Sequence, residues 1–186
     1  MQMYYKQLPL FSLSLLLSVV SLAQEKFATK NGKVDFFSST MLEDIEAKNK
    51  KAVAELNAKT GALHFTVLMK DFEFEHSLMQ EHFNEDYVES DKFPQAEFKG
   101  VIVNNSSINY AQSGSYPAKV KGRLTLHGVT KDIEAAGTIQ VYPGYLTALS
   151  SFHILLSDYG IKLSSLASTM ISNKIKITSN ARLEPM

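Results

Sequence analysis

The sequence contains no cysteine. Disulfide bonds are therefore excluded, and so is the lipid anchor of a bacterial lipoprotein, which is attached to a cysteine at the signal-peptide cleavage site. The fold has to be stabilised by a hydrophobic core alone. A domain of ~160 residues buries enough of its surface for that purpose.

The sequence also has no excess of charge of either sign, with 19 Lys plus Arg and 19 Asp plus Glu. If residues 1–23 are removed, as argued next, Lys6 goes with them and 18 basic residues remain beside 19 acidic ones. A nucleic-acid-binding domain favours a basic face, and charge-driven binding to an anionic membrane uses a polybasic patch. The composition predicts neither nucleic acid nor an anionic membrane surface as a partner.

No hydrophobic run is long enough for a transmembrane helix. The longest, residues 8–20, is interrupted by Pro9 and serines and is shorter than the ~20 residues that span a bilayer. It follows Lys6 and is followed by small residues at positions 21 and 23, an arrangement that defines a secretory signal peptide. We predict a signal peptide over 1–23, a domain over 24–186, a periplasmic or secreted location, and no stable membrane insertion after cleavage.

The chain beyond residue 23 has no alternation of strands with long helices. Apolar residues instead recur at every second position in short segments separated by turn residues, the pattern of strands with one buried face. The pattern is clearest in 62–70 and in 119–137, KVKGRLTLHGVTKDIEAAG, where a Gly-containing connection joins two alternating runs. The number of such segments predicts an all-β domain of about eight antiparallel strands.

Residues 40–56 fit two structures. Leu42, Ile45 and Leu56 fall at helical spacing among Glu, Ala and Lys, which are good helix formers. The competing interpretation is two strands, 43–47 and 52–57, joined by a polar corner at 48–51. Local propensity favours the helix.

Residues 77–87 predict one short amphipathic helix. Ser77 and Gln80 fit a capping box, with the serine as N-cap. Leu78, Met79 and Phe83 fall on one face of this helix. We expect the helix to cover one end of the sheet structure with this face turned inward.

The inward-facing residues favour a barrel over a sandwich. They include phenylalanines spread along the whole chain, whereas the thin core of a sandwich can be filled by modest side chains. Small residues occupy other inward positions: Ala96, Gly100, Gly122, Ala135, Gly137, Ala148 and Ser150. A closed barrel of ~8 strands can hold one ligand, and we expect these small residues to leave room for it.

No pattern of catalytic residues is present, so the sequence predicts a protein that is not an enzyme. Ser113 lies in a polar loop without the strand–turn–helix context of a hydrolase nucleophile. His76 and His82 stand six residues apart and lack the HExxH spacing of a zinc site. His127 and His153 fall on the outward parity of their strands, where a histidine is most often a surface residue.

Three motifs give the chain a resemblance to a known family. They are GRLTLHGVTK at 122–131, HFNEDYVESDKFPQAEFKG at 82–100 and SDYGI at 157–161. With these motifs the chain resembles the YceI-like family of exported bacterial lipid-binding proteins over essentially all of its length beyond the signal peptide.

The resemblance implies a lipocalin-like antiparallel barrel with a long isoprenoid or other amphiphilic lipid in its lumen and a periplasmic location. It also implies strands rather than a helix at 40–56, because the barrel needs them to close. It carries no catalytic residue, and we expect no cofactor or metal apart from the bound lipid.

The sequence predicts which side chains line the lumen and contact this lipid. They are Phe36, Leu63, Phe65, Val67, Phe72, Phe74, Leu78, Met79, Phe83, Phe98, Leu124, Leu126, Phe152, Ile154, Leu156 and Tyr159. Polar groups near predicted bends, Asp71, Glu75, His76 and Tyr159, are candidates for holding a head group at the mouth.

Two alternatives stay open at this point. One is an envelope structural or interaction module whose barrel is filled by its own side chains. The other is a metal-dependent enzyme that uses the polar cluster Glu73–Asp86. The off-parity residues Leu68 and Leu149 indicate an apolar outer face and a possible homodimer.

Overall fold

The computed structural model describes residues 25–186, so the predicted signal peptide lies outside the described residues. The strands are β1 Lys26–Ser39, β2 Asp44–Asn57, β3 Ala62–Leu68, β4 Glu73–Phe74, β5 Gln95–Ile102, β6 Gly114–Leu126, β7 Val129–Tyr142, β8 Tyr145–Leu155 and β9 Lys174–Pro185. The α-helices are α1 Ser77–His82 and α2 Ala167–Met170. Short 3₁₀-helices span Met69–Asp71, Asn105–Ser107 and Leu156–Tyr159, and a π-helical turn spans Phe83–Tyr87.

The strands form a closed antiparallel barrel. Their order is β1-β9-β8-β7-β6-β5-β3-β2, and β2 pairs with β1 to close the circle. The ninth strand, β4, has two residues and adds to β2 where Ala47 lies opposite Phe74. The predicted eight-stranded all-β barrel with a short helix is confirmed.

Connections alternate between the two ends of the barrel, because neighbouring strands are antiparallel. The β2–β3, β5–β6 and β7–β8 connections lie at one end, which we name the closed end. The β1–β2 turn, the β3–β5 connection with α1, the β6–β7 turn and the β8–β9 connection with α2 lie at the other, which we name the open end. The longest connections therefore gather at the open end.

β2 is a strand, so the helix predicted by local propensity over 40–56 is wrong. Its buried residues alternate with exposed ones on either side of a bulge, where Val34 pairs with Asn49 but Gly32 pairs with Ala52. The buried Asn49 side chain is satisfied there: its Nδ2 donates to the Leu68 carbonyl at 3.0 Å and its Oδ1 accepts from the Lys51 amide at 2.9 Å. The alanines are small inward residues of a barrel wall, a tertiary demand that overrides helix propensity.

The β6–β7 connection is a two-residue hairpin turn. Leu126 lies opposite Val129, and the two residues between them, His127 and Gly128, have positive φ angles of 50° and 73°. Positive φ at both central residues is what the type I′ hairpin turn requires. This geometry fixes the register of the two longest-paired strands of the barrel.

α1 forms where the sequence predicts a helix, but its capping differs. The N-cap is His76, and no side chain caps the helix. Gln80 instead accepts a hydrogen bond at its Oε1 from the Phe74 amide at 3.4 Å. The predicted capping box is wrong because Gln80 bonds back to β4, the strand that leads into the helix.

The buried residues form two clusters, one toward each end. The cluster at the closed end includes Phe27, Leu56, Ile102, Leu146 and Leu183. The cluster toward the open end includes Val34, Met69, Phe72, Tyr159 and Ile175. The cavity described next borders residues of both clusters.

Candidate functional site

A cavity of about 690 Å³ lies inside the barrel. Its walls come from the inward faces of the strands, and it reaches the open end, where Leu78 of α1 and Leu166 beside α2 line it while remaining 60% and 70% exposed. Pockets that bind small molecules typically have volumes of ~300–1,000 Å³. The cavity is therefore large enough for a ligand and is accessible from solvent.

Fifteen of the sixteen predicted lining residues border this cavity. They are Phe36, Leu63, Phe65, Val67, Phe72, Phe74, Leu78, Met79, Phe83, Phe98, Leu124, Leu126, Phe152, Ile154 and Leu156. Their contact with a ligand stays a prediction, since the structure places them without one.

Tyr159 does not border the cavity, so its predicted place in the lining is wrong. Its side chain is buried in the cluster toward the open end, where Tyr159 is the last residue of the 3₁₀-helix Leu156–Tyr159. Burial, together with the nearby Asp158, raises the pKa of the Tyr159 phenol to about 12. Tyr159 is a packing residue of the open end.

The predicted small inward residues behave in two ways. Five of the seven border the cavity and leave space in it: Ala96, Ala135, Gly137, Ala148 and Ser150. Gly100 and Gly122 do not, because they lie opposite each other on β5 and β6 beneath the ring of Phe98. A Cβ added at either glycine would lie 2.5–2.7 Å from Phe98 Cζ, so these glycines make room for a side chain of the protein rather than for a ligand.

Several lining residues were not predicted, and they come mainly from the open end. The β8–β9 connection contributes Ile161, Leu163, Leu166, Ala167, Met170 and Ile171. From Leu163 onward these residues recur at intervals of three or four in the sequence, a helical periodicity that could have marked an inward face. Ile133 and Ile139 of β7 and Ile175 and Ile177 of β9 also border the cavity. Their inward positions in the alternation of these strands could have identified them.

The lining is almost free of charge. Among the described residues that border the cavity, Glu43 is the only Asp, Glu, Lys or Arg, and His82 is the only histidine. The predicted head-group residues lie elsewhere: Asp71, Glu75 and His76 do not border the cavity, and Asp71 pairs with Lys51 at 2.9 Å between Oδ1 and Nζ. The carboxylate and the imidazole that border the cavity are therefore those of Glu43 and His82.

Four phenylalanines hold α1 and the following π-helical turn against the barrel. The ring of Phe83 lies 5.4 Å from Phe36, 5.7 Å from Phe72 and 5.0 Å from Phe74, measured between centroids. Tilted, stacked and edge-to-face pairs at these distances are favourable beyond the apolar area that they bury. Because all four rings border the cavity, the same cluster forms its wall and positions the helix.

His127 does not border the cavity, but it is not a surface residue either. Its side chain is only 13% exposed and packs against the Phe93 ring, with 4.6 Å between centroids. Its Nδ1 donates to the Tyr159 carbonyl at 3.0 Å, and its Nε2 lies 2.8 Å from Glu89 Oε2. His127 therefore joins the β6–β7 turn to the two long connections of the open end.

Within residues 25–186, no group of three or more acidic or histidine side chains is arranged to hold a metal ion. The same part of the chain contains no helix with the length and hydropathy needed to cross a membrane.

Comparison with known protein families decides the relationship. The family model described as "YceI-like domain" matches residues 19–183. The chain belongs to the YceI-like family.

Solved structures share the fold of this YceI-like domain. A polyisoprenoid-binding domain from Saccharophagus degradans, described as implicated in plant cell wall breakdown, superimposes with a TM-score of 0.75 at 14% identity, over 88% of this chain and 99% of the other. BcnA from Burkholderia cenocepacia gives 0.67 at 19% identity, over 82% and 95%. The YceI protein of Campylobacter jejuni gives 0.56 at 18% identity, over 73% and 81%. No curated protein sequence matches this YceI-like domain.

Proposed function

We propose that this protein binds a polyisoprenoid, a quinone-like molecule or another amphiphilic lipid, with the hydrocarbon tail in the barrel cavity, and that it sequesters or carries this lipid. The observation that carries the proposal is the cavity of about 690 Å³, in whose lining a single residue of the described part of the chain is formally charged. Such a space suits an apolar chain, because a polar ligand would lose its hydrogen bonds to water without replacement. The polyisoprenoid-binding description of the Saccharophagus relative supports the same ligand class.

The energetics favour a long tail. Each CH₂ moved from water into an apolar environment contributes about 0.8 kcal/mol, and micromolar binding corresponds to about 8 kcal/mol. Ordering of a flexible tail and loss of its free motion offset part of the gain. A tail of many carbons is therefore needed to leave a useful net affinity.

We assign the head group to the mouth, beside Glu43 and His82. Both residues border the cavity at the open end, so a tail that enters the barrel would leave its polar end next to them. Few polar groups in an otherwise apolar pocket fix the orientation of a ligand. The proposal includes no catalytic residue, no resident cofactor and no metal.

We further propose that the protein acts in the periplasm or outside the cell. The signal-peptide pattern of residues 1–23 supports this location. A possible homodimer also remains a prediction. Leu68 is exposed as expected, and Leu149 is half-buried.

The cavity weakens the self-filled alternative, since that alternative requires a lumen packed by the protein's own side chains. The deciding experiment is extraction of the purified domain 24–186 with organic solvent, followed by mass spectrometry and by titration of the delipidated protein with a polyprenol and a quinone. We expect a co-purified lipid or saturable binding. If neither is found with a folded protein, the proposal fails.

A pair of variants on one strand separates the cavity from the fold. Ala135 borders the cavity, and its neighbour Ala136 on β7 is exposed. Ala135→Phe fills part of the cavity, so we expect affinity for the lipid to fall at least about tenfold, a loss of roughly 1.4 kcal/mol. Ala136→Phe adds the same ring outside the barrel and should bind as wild type. Equal binding by both variants would place the ligand elsewhere.

A further inference from the structure

The open end of the barrel carries a group of exposed apolar side chains around the cavity mouth, which we name the mouth rim. Its members are Met41, Leu42, Leu78, Leu166 and Met170. Met41 is fully exposed, and Leu42 is 73% exposed. Exposed apolar residues that occur singly are ordinary, but a contiguous group marks an interaction site.

Three separate connections bring the mouth rim together. Met41 and Leu42 form the tip of the β1–β2 turn, Leu78 lies on α1, and the remaining two lie in the β8–β9 connection. The Ser172 amide donates to Ser38 Oγ at 2.9 Å and joins the β8–β9 connection to the end of β1. Elements that are distant in the sequence therefore present their apolar side chains at one place.

The turn that presents Met41 and Leu42 is held by hydrogen bonds. Thr40 Oγ1 accepts from the Leu42 amide at 3.2 Å and from the Glu43 amide at 3.1 Å. The Thr40 amide donates to the Glu43 carbonyl at 2.9 Å. The two side chains consequently project into water from a structured turn.

Two of the three segments around the mouth contain no charged residue. Residues 36–42 and 163–173 contain no Asp, Glu, Lys or Arg. A surface that meets only water would tolerate charged residues at such exposed positions, and protein interfaces keep charged residues at their edge. Since the segments also lack a polybasic patch, the surface that they fit is not recognised by its negative charge.

The mouth rim is continuous with the cavity. Leu78, Leu166 and Met170 border the cavity and are exposed at the same time, so apolar surface extends without a break from the lumen to the outside of the molecule. A tail that passes from a bilayer into a barrel through water would expose its CH₂ groups, at a cost of about 0.8 kcal/mol each. Contact between the mouth rim and the bilayer would remove this aqueous gap.

We propose that the mouth rim docks on the surface of a lipid bilayer and that the lipid enters and leaves the cavity there. This inference rests on the proposed lipid-binding function. The rim side chains insert among the acyl chains near the head groups, as in other interfacial proteins, and the barrel does not span the membrane. Docking depends on apolar contact, so it is insensitive to anionic lipid and to salt.

The test uses Met41→Asp combined with Leu42→Asp. Neither residue borders the cavity, so lipid binding from solution should be unchanged. We expect the wild-type domain to float with phosphatidylcholine vesicles and to extract a fluorescent polyprenol from them. The double variant should lose flotation and extract the probe at least about tenfold more slowly. Adding 20% phosphatidylglycerol or raising the salt concentration should change neither property of the wild type.

A matched control places a charge at the other end. Val103 follows β5 at the closed end and is 48% exposed, so Val103→Asp should float and extract as wild type. Wild-type protein that binds the probe from solution but does not float with vesicles would overturn the docking proposal alone. Binding only to membranes that contain protein would also overturn it, in favour of a protein partner. Failure to bind the probe from solution, with flotation intact, would overturn the lipid-carrier function instead.

Discussion

Contacts of single residues hold the connections at the open end together, and Glu89 is the most informative of these residues. Its carboxylate Oε2 lies 2.8 Å from His127 Nε2, and its backbone has a positive φ of 47°. Its carbonyl accepts hydrogen bonds from the amides of Lys92 and Phe93, each at 2.8 Å. Glu89 thus connects the segment after α1 to the β6–β7 hairpin.

The pKa of Glu89 gives this contact a pH dependence. The hydrogen bond from His127 lowers the pKa of the Glu89 carboxyl below its ordinary value of 4.5, and the nearby Lys92 acts in the same direction. A carboxyl whose pKa is lowered in the folded state stabilises the fold above its ordinary pKa. This contribution is lost as the pH falls through the lower, folded-state value.

We therefore predict that Glu89→Gln is less stable than wild type above about pH 5 and that the difference disappears in stronger acid. Urea unfolding followed by circular dichroism between pH 2.5 and pH 7 measures it. Glu85→Gln removes an exposed carboxylate of the same connection that does not bond to His127, so it should track wild type. If the stability difference between wild type and Glu89→Gln were the same at every pH, the charge of Glu89 would not be its cause.

At the scale of elements, α1 is too short to be stable alone. It has six residues, and no side chain caps it, whereas isolated helices need more than ~12 residues to be stable in water. Its position depends on the phenylalanine cluster, in which Phe83 contacts the other three rings. The helix at the cavity mouth is consequently held by packing and can open locally.

We predict that Phe83→Ala loosens this element without unfolding the barrel. Full truncation of a buried phenylalanine costs about 3–5 kcal/mol. Phe83 is half-buried, and we expect about 2 kcal/mol, which corresponds to roughly thirtyfold faster amide exchange over 77–88. Hydrogen exchange with mass spectrometry measures the exchange rate of these amides, with the amides of β7 as an internal reference.

The matched control for this prediction is Leu78→Ala. Leu78 lies on the same helix but is mostly exposed, so exchange should accelerate by less than about threefold. Equal acceleration in the two variants would mean that the aromatic cluster does not position α1.

At the scale of the whole molecule, a cavity of fixed volume predicts how affinity depends on the length of the ligand. For saturated alcohols of increasing length, each added CH₂ should strengthen binding by up to about 0.8 kcal/mol, roughly fourfold in Kd. The gain should stop once the tail fills the cavity. Isothermal titration calorimetry on the delipidated domain measures the slope and the length at which it ends.

Ala135→Phe gives this prediction an internal check. The added ring occupies part of the cavity, so affinity should stop increasing at a shorter chain length than in wild type. The same limiting length in both proteins would mean that the tail does not enter the space beside Ala135.

The sequence predicted the barrel because alternation is a property that each strand shows by itself. Val120, Leu124 and Leu126 share a parity in the sequence and a face in the structure. The same rule located the predicted cavity-lining residues on the strands, and the helical periodicity of 77–87 located Leu78, Met79 and Phe83. It could not identify Gly100 and Gly122 as a seat for Phe98, because that arrangement depends on the register between two strands.

Tertiary contacts explain the remaining differences. Alanine and lysine in β2 favour a helix locally, and only closure of the barrel selects a strand for them. Tyr159 was misplaced because its environment is made by connections that meet at the open end. Glu43 and His82, the carboxylate and the imidazole that border the cavity, likewise come from two connections whose meeting no local pattern reports.

Closure of the barrel by β1 also sets the order in which the chain can fold. β1 pairs with its sequence neighbour β2 and with β9, where Phe27 lies opposite Pro185. Bringing such distant residues together slows folding to the ms–s range typical of β proteins with high contact order. Before β9 takes its place, β1 and β8 each present an unpaired edge and the apolar inner face meets water, a combination that promotes aggregation. The chain is thus most prone to aggregation before β9 pairs with β1 and closes the barrel.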